Sequence, residues 1–159
     1  DGTTSTATNP VKTYGVSGTY TVTLTVTDNG GASNTRSASV TVNAPGTQTY
    51  TNNTDYPIND NATINSPIRV TGRPGNAPIN TPVAVNIVHT YIGDLRVSLI
   101  APDGSAYVLH NYTGNSADNI NQTYIVNLSS ERLNGTWRLR VTDSSNADTG
   151  RIDSWSITF

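Results

Sequence analysis

Cysteine and methionine are absent from this chain, lysine and glutamate occur once each, at Lys12 and Glu131, and Phe159 is the sole phenylalanine. Without cysteine there is neither a disulfide framework nor a thiolate zinc site. Thr, Ser, Asn and Gly take the place of lysine and glutamate, which removes strong helix formers and leaves β and turn formers. A chain of 159 residues so composed is expected to be almost entirely β. Its net charge of −2, spread thinly, excludes the basic face that nucleic acid requires and offers nothing to an anionic membrane. No apolar run reaches the length of a membrane-spanning helix. A surface poor in lysine, rich in Asn and Thr and free of cysteine fits a secreted bacterial protein. The chain opens with neither an initiator Met nor a signal peptide, so a processed piece of a longer polypeptide is expected.

Alternation is the dominant pattern. Residues 19–27 place Tyr20, Val22, Leu24 and Val26 on one face and threonines on the other, the period of a half-buried antiparallel strand. Asp28-Asn29-Gly30-Gly31 is a turn cluster, and Ala38–Val42 returns as the second strand of a hairpin. Pro45, Gly46 and Thr47 have the character of a linker. Beyond it, Ile68-Val70, Val83-Val85-Ile87, Leu95-Val97-Leu99, Tyr107-Leu109, Tyr124-Val126-Leu128, Trp137-Leu139-Val141 and Trp155-Ile157-Phe159 each set apolar residues at alternate positions. So many short strands separated by Gly, Asn and Asp turns predict a β-sandwich, and a jelly roll suits their number.

Several motifs stand in a fixed order. They are His89-Thr90-Tyr91-Ile92-Gly93-Asp94-Leu95, Ala101-Pro102-Asp103-Gly104, Gly135-Thr136-Trp137, Val141-Thr142-Asp143 and the closing Ser154-Trp155-Ser156-Ile157. Together they resemble the P-domain of proprotein convertases such as kexin and furin, over roughly residues 47–159. The segment from Asp1-Gly2 through Asn9-Pro10-Val11 and the Thr19–Asp28 strand to Val42 is similar to the second half of a polycystic-kidney-disease (PKD) domain. The expected architecture is therefore the end of an immunoglobulin-like PKD segment over 1–44, a linker over 45–49 and a P-domain-like jelly roll over 50–159. Half a sandwich buries too little apolar surface to stand alone. Residues 1–44 are accordingly expected to be mobile or to self-associate through the Tyr20–Val26 face.

Chemistry of a hydrolase is hard to assemble from these residues. A serine-hydrolase triad needs a nucleophile within reach of a base, yet there are only two histidines, His89 and His110, and no Gly-x-Ser-x-Gly elbow. His89, at the end of a core strand, is read as a hydrogen-bonded structural residue. With Gly93 and Asp94 it forms an expected structural hub in which the Asp94 carboxylate accepts hydrogen bonds. Carboxylates lie mostly in turns beside Gly, Asn or Ser, where turn formation is the simpler account than a glycosidase pair. Structural calcium is a stronger expectation, because clustered oxygen donors suit its irregular coordination. The Asp143–Gly150 loop supplies the ligands expected for it, Asp143 and Asp148, with Asp94 as a further donor. Tyr50, Tyr56, Tyr91 and Tyr112 lie outside strand-core phase and are the candidates for a ligand platform, whereas Trp137 and Trp155 are in phase with the core.

The P-domain resemblance implies a non-catalytic region at the C-terminal side of a secreted protease, subtilisin-like or zinc-dependent, that helps the catalytic domain of the same chain to fold and stay folded. The PKD resemblance implies binding to protein substrates such as collagen. The rival expectations are a binding module of an adhesin or polysaccharide-degrading enzyme, and a C-terminal propeptide removed on maturation.

Overall fold

The computed structural model describes residues 2–42 and 46–159, so Asp1 of the first turn and the first residue of the expected linker, Pro45, lie outside the described residues. The chain divides into two compact units, Asp1–Gly46 and Thr47–Phe159.

The first unit is a hairpin of β1 (Gly18–Thr27) and β2 (Ser33–Val42), paired over its whole length from Gly18 with Val42 to Thr27 with Ser33. Asp28 sets the turn, its Oδ1 accepting from the amides of Gly30 at 2.8 Å and Ala32 at 2.9 Å, an Asx arrangement that holds the two strands in register. Hydroxyls pair across the polar face, Thr23 with Ser37 and Thr27 with Ser33. On the other face Val22, Leu24 and Val26 are 44%, 63% and 58% exposed, so the described residues of this unit leave them largely uncovered. Tyr14 stacks on Tyr20 at 4.0 Å.

The second unit is the expected sandwich. One sheet runs β5 (Thr63–Val70), β10 (Gly135–Asp143), β7 (Leu95–Ile100), β8 (Ala106–Asn111). The other runs β3 (Thr49–Asn52), β11 (Gly150–Thr158), β6 (Thr81–His89), β9 (Ile120–Val126), with β4 (Tyr56–Ile58) also on β11. All pairings are antiparallel, and the chain from β5 to β11 passes repeatedly from one sheet to the other, the winding of a jelly roll. Ordered structure starts ahead of residue 50: Gln48 exchanges both backbone hydrogen bonds with Phe159, and Thr49 already belongs to β3.

Alternation places the core between the sheets. Trp137, Leu139 and Val141 of β10 face Val83, Val85 and Ile87 of β6 and Trp155 and Ile157 of β11, all buried. Each indole N–H is satisfied, Trp137 donating to Leu133 O at 3.0 Å and Trp155 to Ser66 Oγ of the opposite sheet at 2.9 Å. Ile152 and Trp155 are both buried though an odd number of residues apart, and a bulge between Ile152 and Ser154 makes this possible by shifting the phase of β11.

Candidate functional site

At one end of the sandwich the last residue of β6, His89, meets the last residue of β10, Asp143. His89 Nε2 donates to Asp143 Oδ2 at 3.1 Å, and both side chains are fully buried, so the contact fastens one sheet to the other. The second ring nitrogen, Nδ1, lies 3.0 Å from Tyr91 O and 3.2 Å from Tyr91 N. Asp143 Oδ1 accepts from Ser145 N at 2.9 Å. Asn119 closes the other side, its Oδ1 accepting from His89 N at 3.0 Å and its amide donating to His89 O. In the same sheet as His89, β11 begins beside this pair, with Gly150 in register with His89. A Cβ on Gly150 would sit 2.7 Å from His89 Cδ2 and collide with the carbonyl of Val88, so only glycine allows β11 to approach β6 here.

Of the residues expected to form a hub, His89 is paired with a carboxylate other than Asp94. Gly93 bonds through its amide to Asn115 O at 2.9 Å. Asp94, expected to accept the hydrogen bonds, does not. It ends a 3₁₀ turn, Ile92–Asp94, where its backbone carbonyl accepts from Ser144 N at 3.1 Å while its half-buried carboxylate receives no hydrogen bond from the described residues. Asp143 fills the part assigned to Asp94.

The three carboxylates named as calcium ligands are not gathered into one set. Asp143 spends its two oxygens on His89 and Ser145, and Asp148 Oδ1 accepts from Thr90 Oγ1 at 2.7 Å. Among the described residues no three His, Asp or Glu side chains are placed to hold one ion. A fourth carboxylate, missed by the sequence reading, joins the same loop. Asp60 Oδ2 accepts from Ala147 N at 3.0 Å, Asn61 N donates to Ser145 O, and Asn61 Nδ2 donates to Asn146 Oδ1 at 2.7 Å. Asp60 Oδ1 is buried and no donor among the described residues reaches it. The Asn59-Asp60-Asn61 run before β5 was the only signal of this in the sequence, and its contact to a loop so distant in the chain has no local signature.

The tyrosines do not make a shared platform. Tyr50 and Tyr56 pack against the core, Tyr50 beside Phe159 at 6.1 Å. Tyr91 is half-buried at the hub, and Tyr112 is 44% exposed with its hydroxyl on Ser144 Oγ. His110 is also engaged, its Nε2 bonding Ile92 O at 2.9 Å. A general base must reach a substrate proton. His89 is walled off, and both histidines have ring nitrogens committed to backbone or carboxylate.

Residues 80–159 match the family model described as the Proprotein convertase P-domain. The chain belongs to that family. Residues 1–44 match the model for the PKD domain. The two occur in the order expected.

This P-domain chain is 56% identical over 117 residues to Leupeptin-inactivating enzyme 1 of Streptomyces exfoliatus, a match covering 72% of this chain and 27% of that protein. It is 44% identical over 141 residues to the Transglutaminase-activating metalloprotease of Streptomyces mobaraensis, covering 87% of this chain and 18% of that protein. A Calcium-dependent protease of Nostoc sp. is 39% identical over 113 residues, with 65% of this chain and 17% of that protein covered. Among solved structures, the serine protease of Aeromonas sobria shares the fold, with a TM-score of 0.54 at 18% identity over 72% of this chain and 27% of that one. The P-domain chain thus spans 27% or less of the length of each relative. No helix of the described residues is long and apolar enough to cross a membrane.

Proposed function

We propose that this chain is a non-catalytic accessory region of a secreted bacterial protease, whose β-sandwich supports the folding and stability of a catalytic domain in the same polypeptide. One observation carries the reading: relatives named as proteases contain the matched region as a minor share of their length, 18% in the Streptomyces mobaraensis metalloprotease and 17% in the Nostoc protease. A rigid module that binds only the native form of its neighbour stabilises it by mass action, without contributing any reacting group. The sealed His89–Asp143 pair agrees with that division of labour. The parent is either a serine or a metal-dependent protease, and the metalloprotease among the relatives gives the second equal standing.

The test is deletion of residues 47–159 from the full-length parent. The expected result is loss of most secreted active protease, with kcat/KM per active site unchanged in what survives. Undiminished yield would refute the accessory role, and a parent that cleaves or binds polysaccharide instead would replace it with the carbohydrate-module reading. Substrate binding and self-association, if they belong to the PKD segment, fall to the exposed Val22, Leu24 and Val26 face.

A structural calcium is a second part of the proposal, favoured by the orphaned Asp60 Oδ1 beside a loop rich in oxygen donors. Its ligand set includes Asp60 and Asp148 and excludes Asp143, whose oxygens are taken. Calcium should raise the melting temperature relative to a chelator, because it would bind the folded state alone. Asp60→Asn should abolish that shift. A melting temperature indifferent to both would remove the metal.

A further inference from the structure

Strand β10 alternates Trp137, Leu139, Val141 and Asp143 toward the core with Thr136, Arg138, Arg140 and Thr142 toward the outside. Its neighbours bring further arginines to the same outer face. Thr142 lies opposite Arg96 of β7, and Thr136 opposite Arg69 of β5. Arg69, Arg96, Arg138 and Arg140 thus share one sheet face in a chain whose net charge is −2. No Asp or Glu occupies an outward strand position of this sheet, and none of the four arginines is in an ion pair among the described residues. The opposite sheet differs, since its Arg151 is paired with both Asp55 and Asp153.

Two of the four, Arg96 and Arg140, line a recess of 370 Å³ together with Asn65, Ser98, Ile100 and Thr142 among others. Ser98 and Ile100 point outward yet are only 7% and 4% exposed, so they form a floor rather than a surface. Arg140 is held in place by its Nε, which donates to Asn65 Oδ1 at 3.1 Å, and its terminal amino groups have no hydrogen bond or ion pair among the described residues. A guanidinium fixed at Nε and unpaired at its fork is pre-organised for a carboxylate.

We propose that this face docks an acidic segment of an extended polypeptide, the substrate protein offered to the neighbouring catalytic domain. Arg138 and Arg140 stand two residues apart on one strand, about 6.7 Å, which is also the repeat of alternate side chains along an extended peptide. The outward strand positions hold no aromatic residue, so the flat apolar plate on which a sugar ring would stack is missing. The inference rests on the accessory reading for the identity of the segment, though the binding itself does not depend on a protease.

Fluorescence anisotropy of this chain with a short peptide of alternating aspartate and serine tests it, with a lysine–serine peptide as control and dextran sulfate as competitor. Saturable binding of the acidic peptide is expected, weakening with salt and falling about tenfold in Arg96→Gln/Arg140→Gln but not in Arg151→Gln. Amide shifts on peptide addition to the unsubstituted chain should centre on Arg96, Ser98, Arg140 and Thr142, a readout that stands even if a variant folds poorly. Absence of saturable binding, an unaffected double variant, or shifts centred on the opposite sheet would overturn the proposal. Tighter binding of dextran sulfate at these residues would reassign the face to anionic polysaccharide. Each of these results leaves the deletion experiment on the parent protease untouched, so the two readings fail separately.

Discussion

Gly150→Ala is expected to lower stability by about 3 kcal/mol, seen as a fall in melting temperature on the order of 10 °C. The added methyl would meet the carbonyl of Val88 and the ring of His89, and neither is the loose end of a flexible chain. Val88 lies one residue from the end of the β6–β11 ladder, where Gly150 pairs with His89 and Arg151 with Val88, so backbone yielding would have to open pairing at the start of β11. The same shift would displace His89 from Asp143. Gly15→Ala is the matched control, since a Cβ there meets nothing within 4 Å. Thermal unfolding of both variants checks the expectation, and a Gly150→Ala protein as stable as the unsubstituted chain would mean that the close approach is relaxed in solution.

A comparable loss is expected for Asp143→Ala, about 3 kcal/mol, because a buried donor and a half-buried one would be stranded together. His89 Nε2 would lose its acceptor across the sheets, and Ser145 N would lose the carboxylate that starts the following loop. Asp94→Ala, in contrast, should change stability by no more than about 0.5 kcal/mol, since only the backbone of Asp94 takes part in the structure. Urea unfolding of the two variants side by side separates them: equal midpoints would show that the inter-sheet contact carries no net stabilisation.

The contrast between these two aspartates shows how far the sequence could be read. Gly93-Asp94 begins four residues after His89 and has the composition of a turn, so a local reading joins Asp94 to the histidine. Asp143 follows the buried alternation Trp137, Leu139, Val141 in the same phase, which marked it as inward-facing, yet nothing local says what it meets inside. Similarly, Arg138 and Arg140 can be seen to share a face from their spacing alone. That Arg96 and Arg69 join them depends on which strands flank β10, and on the register in which they do so.

The sequence by itself determined the all-β class, the division into a hairpin segment and a sandwich, the identity of the core strands and the two families that the modules match. The class, the division and the strands follow from the period of two and from turn chemistry, both of which are properties of adjacent residues, whereas the families rest on the resemblance of the ordered motifs. Only the tertiary structure decided that Asp143 rather than Asp94 answers His89, that Asp60 reaches the Ser145–Ala147 loop, that Gly150 must lack a side chain, and that four arginines gather on one unpaired face. Each of those depends on a strand from one part of the chain lying in a particular register beside another. Register is set by how the whole set of apolar side chains packs between two sheets, a quantity to which no single stretch of sequence has access.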